Sequence, residues 1–320
     1  MAPEKFIADH LENSNYLPAI ERWTPDLLDE VRGIAKGAGL SFEHAFAAQL
    51  MDEEWLFWES FRGRRHCSSM ASANPQAGIA FAAQNMDLPN WMDGSQTVLH
   101  IADSVTGLRS IVLTAAGMIG LTGVNDAGLA IAVNTLSQLP SATDGLPVAF
   151  VTRGLLQRRE AAGARGFLQS IKHAAGQNYL ICDRNLAEDY ECSAEGVSAF
   201  VPPQSRGNSV WHTNHPLAGG HAVHAAVLSA TGGEANSRAR MAAMDARLAA
   251  SGGAWDVVTA QAVLASRDDP AYPIARPHFP GETDHGFTFA SVIWEVAPVP
   301  RAHVAPGPPD LTPYSTLNFS

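Results

Sequence analysis

Apolar residues recur at helical spacing near the start of the chain. Leu27, Leu28, Val31 and Ile34 form a stripe through 24–38 and predict an amphipathic helix. Thr24 is placed to cap it, Pro25 suits its first position and Gly39 can end it. The stretch FEHAFAAQLMDEEWLFW, 42–58, predicts a second helix with an aromatic end at Trp55, Phe57 and Trp58. The pattern changes across Arg62–Cys67. Beyond it, 78–88, 96–104, 110–117, 120–126 and 128–136 are short apolar or alternating runs separated by Gly, Asn and Asp, which predicts consecutive antiparallel strands. Helices are predicted again at 149–162 and 164–174, strands at 178–184 and 189–202, a helix at 237–250 and a strand at 288–296. The Pro-rich 305–314 predicts no regular structure. Helices and strands come in runs rather than strict alternation. That predicts an α+β protein with helices layered on sheets. No repeat or Gly/Ser linker divides the β-rich part, so one structural domain is expected.

Composition narrows the function classes. The 320 residues are 46% hydrophobic and 17% charged, enough apolar content for a sizeable core. A net charge of -11, from 32 acids against 21 bases, argues against nucleic-acid binding, which needs clustered Lys and Arg. No apolar run reaches the roughly 18 residues that span a bilayer. The first residues lack a basic segment followed by an apolar one, so no signal peptide and a cytoplasmic location are expected. Three cysteines do not make a disulfide framework. Cys182 and Cys192 can pair only if the fold unites them, and buried thiols are the expectation.

The third cysteine, Cys67, sits in RGRRHCSSMAS. Arg62, Arg64, Arg65 and His66 before it would favour a thiolate, the nucleophilic form. The same composition also describes a solvated loop with an incidental cysteine. More distant stretches decide between them. Asp87 stands in AAQNMDL, Asn134 lies near the end of GLTGVNDAGLAIAVNTL and Asn214 lies in VWHTNHPL, with NYLICD and NSRAR as further matches. In this order the chain resembles the acyl-coenzyme A:6-aminopenicillanic acid acyltransferase family of N-terminal nucleophile (Ntn) hydrolases. Choloylglycine hydrolases are more distant relatives. The resemblance runs from about residue 30 to VAPGPPD near the end.

The resemblance implies a four-layer αββα sandwich, with two antiparallel sheets between helical layers. It also implies an inactive precursor that cuts its own His66–Cys67 bond. Residues 1–66 then form a helical leader that stays bound as the α chain, and 67–320 form the catalytic β chain. Cys67 becomes the nucleophile, and its new α-amine, with an ordinary pKa of about 7.7–8, is the base. Asp87 is implied to orient amine and thiol. Asn134 and Asn214 are implied to hold the developing oxyanion and the amine end, a task suited to amide donors. Arg238 matches an arginine near the nucleophile in the choloylglycine relatives. Each has a plainer reading: Asp87 as a turn residue before Leu88 and Pro89, the asparagines as strand-end turns, Arg238 as an exposed helix base. Gly120, Gly123 and Gly128 are read as turn glycines.

One departure is His66, where the family commonly has glycine. A histidine lacks glycine's access to strained backbone, yet an imidazole could protonate the leaving nitrogen. The implied reaction is cleavage of a linear amide through an acyl-thioester on Cys67, with water as acceptor. An amine or coenzyme A in its place makes the enzyme an acyltransferase. The implied partner is a small-molecule amide, without cofactor, nucleic acid or membrane. A homo-oligomer of the two-chain unit stays open. Met86, Trp91, Met92 and Phe150 are candidates to line an apolar or aromatic acyl pocket. Two rival readings stand. His212, His215, His221 and His224 are spaced closely enough for zinc, but without HExxH or paired carboxylates at helical spacing. An unprocessed binding protein that keeps the fold is the other.

Overall fold

A computed structural model describes residues 2–57, 66–205, 207–223, 233–252, 255–281 and 286–319. Arg62, Arg64, Arg65, Trp58 and His224 lie outside the described residues, as do the side chains of Trp55 and Phe57. The leader is helical: α1 Pro3–Glu12, α2 Leu17–Trp23, α3 Pro25–Ala38, α4 Phe42–Ala47 and α5 Met51–Phe57. The predicted α3 stripe is buried at Leu27, Leu28 and Val31, and Gly39 ends the helix at φ 68°, a left-handed conformation that suits glycine. Thr24 occupies the cap position but makes no side-chain capping bond. The single helix predicted over 42–58 is interrupted by a 3-10 turn at Ala48–Leu50. There Gln49 leaves the helix face to donate to the Gly117 carbonyl and accept from the Ile119 N–H.

Two antiparallel sheets follow. The first has the order β10-β1-β2-β11-β12-β13, from β10 Asn208–His212, β1 His66–Asn74, β2 Ile79–Pro89, β11 Gly286–Ala297, β12 Arg301–Ala305 and β13 Ser315–Asn318. The second is a consecutive meander: β3 Gln96–Ala102, β4 Arg109–Ala115, β5 Thr122–Asn125, β6 Ala130–Thr135, β7 Gln177–Cys182, β8 Ala187–Ser193 and β9 Gly196–Ala199. The strand expected at 189–202 is thus divided at the Ala194–Glu195 turn. Helices α6 Val148–Leu156 and α7 Ala161–Ser170 cover the second sheet, and α8 Gly233–Ala250 and α9 Val257–Leu264 cover the first. The break between α6 and α7 falls earlier than predicted, because the Asp183 carboxylate accepts the Ala161 N–H and starts α7 there.

The result is the four-layer αββα sandwich. The larger core lies between the sheets and under the leader, α6 and α7; a smaller one, around Met70, Trp211 and Met244, lies between the first sheet and α8 and α9. Polar ties also cross between the sheets: Gln84 bonds both the N–H and the C=O of Val133, and the Trp294 indole donates to Thr122. The leader is tied down by the bidentate Arg153–Glu30 pair at 2.6 and 2.8 Å. Cys182 and Cys192 are buried and unpaired, at opposite ends of the β7–β8 pair.

Candidate active site

Strand β1 alternates between the two cores, and that alternation aims Cys67, the candidate nucleophile. Cys67, Ala71 and Ala73 belong to the core between the sheets, whereas Met70 packs against α8. Ser69, on the Cys67 face, donates to Asn134 Oδ1 of the opposing sheet at 2.5 Å. On β2, Met86 stands opposite Cys67 and Asp87 opposite His66. Asp87 is therefore a strand residue, and the turn reading does not hold. Its Oδ1 accepts from Thr288 on β11 at 2.8 Å, while its Oδ2 is buried and makes no hydrogen bond among the described residues.

Asn214, just past β10, meets Cys67 directly. The Cys67 backbone N–H donates to Asn214 Oδ1 at 2.7 Å, and the Asn214 amide donates to the Thr135 carbonyl at 3.1 Å. Its backbone N–H donates to Ser237 Oγ at 2.7 Å. Asn134 differs: its Nδ2 is buried and makes no hydrogen bond among the described residues. The two asparagines are thus separated in capacity. Asn214 presents an acceptor to the Cys67 nitrogen, and Asn134 retains an unused donor in the inter-sheet space.

The expectation for Arg238 requires correction. Arg238 lies on the exposed face of α8, paired with Glu234 one turn earlier at 2.7 Å. The arginine at Cys67 is Arg240, two residues on and fully buried. It donates to the Cys67 carbonyl at 2.6 Å, Ser68 Oγ at 2.9 Å, Asn214 Oδ1 at 2.9 Å and Asn236 Oδ1 at 2.8 Å. A second cation, Arg276, was not foreseen. Its Nη1 is buried without a hydrogen bond among the described residues, and its charge acts on Asp87 and His66. Its backbone exchanges bonds with Thr288, the residue that holds Asp87.

Burial dominates the electrostatics of this uncleaved chain. It pushes the Cys67 thiol up to about 12, with the Asp87 charge adding to the rise and Arg240 opposing it. It lifts Asp87 to about 6 against the two arginines. Desolvation also lowers Arg240 to about 10. The His66 ring is held well below its ordinary value by burial, then by Arg276 and Arg240. A neutral imidazole beside two cations is a poor proton donor, so the geometry does not favour His66 as the acid for a leaving nitrogen.

The pocket candidates separate. Met86 is buried opposite Cys67. Met92 is buried in the same core. Phe150 is fully buried on α6, 6.3 Å from the Phe46 ring of the leader, and is a core residue with no surface to offer a ligand. Trp91 is 63% exposed. The histidines take separate protein partners: His212 with Glu191 and the Thr213 carbonyl, His215 with Ser237, His221 with Ser193. Among the described residues no group of three or more His, Cys, Asp or Glu side chains is placed to hold a metal ion. No helix among them is long and apolar enough to cross a membrane.

A cysteine at the head of an inner strand, in two antiparallel sheets between helical layers, defines the class: this is the Ntn-hydrolase fold. Two crystal structures of conjugated bile acid hydrolase from Clostridium perfringens share it. One has a TM-score of 0.54 at 12% identity, covering 79% of this chain and 97% of that one. The other has 0.52 at 13%, covering 79% and 92%. Residues 74–253 match the family described as acyl-coenzyme A:6-aminopenicillanic acid acyl-transferase, and the chain belongs to that family. The matched span holds Asp87, Asn134, Asn214 and Arg240; Cys67 lies just before it. A relative from Emericella nidulans, the acyl-coenzyme A:6-aminopenicillanic-acid-acyltransferase 40 kDa form, is 25% identical over 198 residues, 62% of this chain and 53% of that protein. The chain spans about half the length of that relative.

Proposed function

We propose that this chain is a self-processing cysteine amidohydrolase acting on linear amides. In the precursor, Cys67 Sγ attacks the His66 carbonyl carbon, the peptide C–N bond breaks as nitrogen takes a proton, and water opens the resulting thioester. The freed α-amine of Cys67 then takes the thiol proton. In turnover Sγ attacks a substrate amide carbonyl, the amine part leaves with a proton, and water releases the acid from the acyl-thioester. Asn134 Nδ2 serves the oxyanion, Asn214 Oδ1 and Asp87 hold the amine, and Arg240 fixes the strand carrying both.

The observation that carries this reading is the Cys67 N–H donating to Asn214 Oδ1. The nitrogen that cleavage would free already rests on a buried acceptor, one turn of chemistry ahead of need. The family's description favours a second acceptor, since an amine or a thiol such as coenzyme A can intercept the same acyl-enzyme. The part-buried leader contacts of Glu30 and Gln49 support retention of residues 1–66 as an α chain. Three unpaired cysteines suit a reducing, cytoplasmic setting.

Intact-mass measurement tests the first step. Active protein should give two chains split before Cys67, and Cys67→Ala should give one and no turnover. A single full-length mass in an active preparation would overturn the mechanism. Incubation with N-acyl amines, β-lactams and peptide amides should then leave an acyl mass on Cys67.

A further inference from the structure

The leader carries an acid that the proposed chemistry does not use. Asp52, on α5, is 8% exposed and points into the end of the second sheet. Its Oδ1 accepts from Thr135 Oγ1 at 2.8 Å and from Gln177 Nε2 at 3.0 Å. Thr135 and Gln177 face each other across β6 and β7, one step beyond the Asn134–Asn178 pair. One carboxylate oxygen therefore clamps two strands at the point where Asn134 projects. The same Thr135 supplies the carbonyl that receives the Asn214 amide, and Asn214 Oδ1 receives the Cys67 nitrogen. The path from leader to nucleophile has four members and three hydrogen bonds: Asp52, Thr135, Asn214, Cys67.

Resting on the reading above, we infer that Asp52 is a positioning residue supplied by the leader to the catalytic chain. It fixes the end of β6, which orients the Asn214 amide with its acceptor toward the Cys67 nitrogen. Asn214 has one arrangement that satisfies its surroundings, donor to the Thr135 carbonyl and acceptor toward Cys67 and Arg240. If Thr135 shifts, that arrangement is released. The leader's neighbouring acid reinforces the clamp, because Glu53 accepts the first N–H of α6 at Val148. Cleavage at His66–Cys67 would make the leader a separate chain, so the site would be complete only with that chain in place.

The consequence for the nucleophile has a sign. An acceptor on the α-amine stabilises its ammonium form, and a stable ammonium favours the thiolate beside it. Loosening Asn214 withdraws that acceptor and raises the apparent pKa of the Cys67 thiol. Among the described residues, the charged or titratable groups around Cys67 include its neighbour His66, Asp87 and Arg240, with Arg276 acting on His66 and Asp87; those beside Asp52 include Glu53 and Tyr179. All are kept in the variants.

The probe is iodoacetamide on the cleaved two-chain protein, with alkylation of Cys67 followed by mass against pH. Cys182 and Cys192, both fully buried, report any general opening. Asp52→Ala should move the alkylation midpoint upward by roughly half a unit or more and slow turnover about 10–100-fold, as remote misplacement of reacting groups does. Asp52→Asn keeps an acceptor oxygen for both donors and should recover most of both. Thr135→Val, which leaves the acid and the leader intact, should reproduce the shift. An unmoved midpoint in Asp52→Ala overturns the inference, as does alkylation of Cys182 and Cys192 in step with Cys67. Should Asp52→Ala fail to accumulate, Thr135→Val decides alone, and an unshifted midpoint there refutes the path. A wild-type protein that never cleaves would instead overturn the proposed function, and this inference with it.

Discussion

Arg240→Met removes every donor of the buried hub while keeping a side chain of similar reach. Three acceptors lose a charge-assisted bond outright: the Cys67 carbonyl, Asn214 Oδ1 and Asn236 Oδ1. Ser68 Oγ is a hydroxyl and can turn elsewhere. Bonds to charged groups are worth about 1.5–3 kcal/mol each, so three would sum to about 4.5–9 kcal/mol. The sum overstates the effect. A fully buried guanidinium carries a desolvation cost, visible in its lowering to about 10, and its removal relieves that cost. Breaking one side of a buried charge network typically costs about 3–5 kcal/mol, and the lower end applies here because Asn214 keeps the Cys67 N–H. Arg240→Lys restores a charge but not the planar fork, and should recover only part of the loss. The assay is urea unfolding in a Cys67→Ala background, which carries no nucleophile, followed by the fluorescence of the buried Trp211 and Trp294. Arg238→Met is the control. Its exposed pair with Glu234 predicts a change below about 0.5 kcal/mol. If Arg240→Met stayed within about 1 kcal/mol of the parent at an equal m-value, the hub would not be what holds the head of β1.

Two further outcomes test the site and its surroundings. Asp87 is raised from 3.8 to about 6 in the uncleaved chain, so its ionisation opposes folding, and the stability it contributes is full below about pH 4 and lost as pH rises through about 6. In the Cys67→Ala background, Asp87→Asn should therefore gain on its parent as pH rises from 4 to 7, by on the order of 3 kcal/mol, and a flat difference in urea midpoints would contradict the burial argument. Phe150→Ala should cost about 3–5 kcal/mol as a core truncation, against less than about 0.5 kcal/mol for Trp91→Ala at its exposed position. Equal losses in the same unfolding assay would show that Phe150 is not packed as described.

The layered architecture was legible because the second sheet is a meander. Consecutive apolar runs from 96 to 136 become consecutive neighbours β3 to β6, and local pattern suffices for local pairing. The first sheet was harder to read. It joins β1 and β2 to β10 and β11 from far along the chain, and β13 is exposed and polar, with no alternation to mark it. Arg238 illustrates a signal present but misread. Residues 237, 240, 241, 244 and 248 form one stripe of α8, and its apolar members Met241, Met244 and Leu248 fix which face is buried. Arg240 lies in that stripe; Arg238, about 200° around the helix from it, cannot. Arg276 left no such trace, since it sits in an irregular segment held by tertiary bonds such as those to Thr288 and Asn85. Asp52 was hidden for another reason. An acid in MDEEW reads as a solvated helix face until β6 and β7 are placed against it.

The electrostatics of the uncleaved chain give that distribution of residues a common logic. Two groups at the site, the Cys67 thiol and Asp87, stand above their ordinary values, and both rises begin with burial. The Arg240 charge acts on both groups without a hydrogen bond to either. Arg240 spends its donors on the Cys67 carbonyl, Ser68, Asn214 and Asn236 rather than on either acid. Proposed cleavage would add an α-ammonium at the Cys67 nitrogen, which already donates to Asn214 Oδ1. An ammonium there draws both groups downward, toward thiolate and carboxylate. The thiol of the uncleaved chain is thus kept protonated by the same enclosure that would make its ion pair strong after the proposed cleavage, because low polarity penalises an isolated charge and rewards a matched one. Reactivity would then be set by the severed bond alone, with the strand, the arginine and the leader's acid already in their working positions.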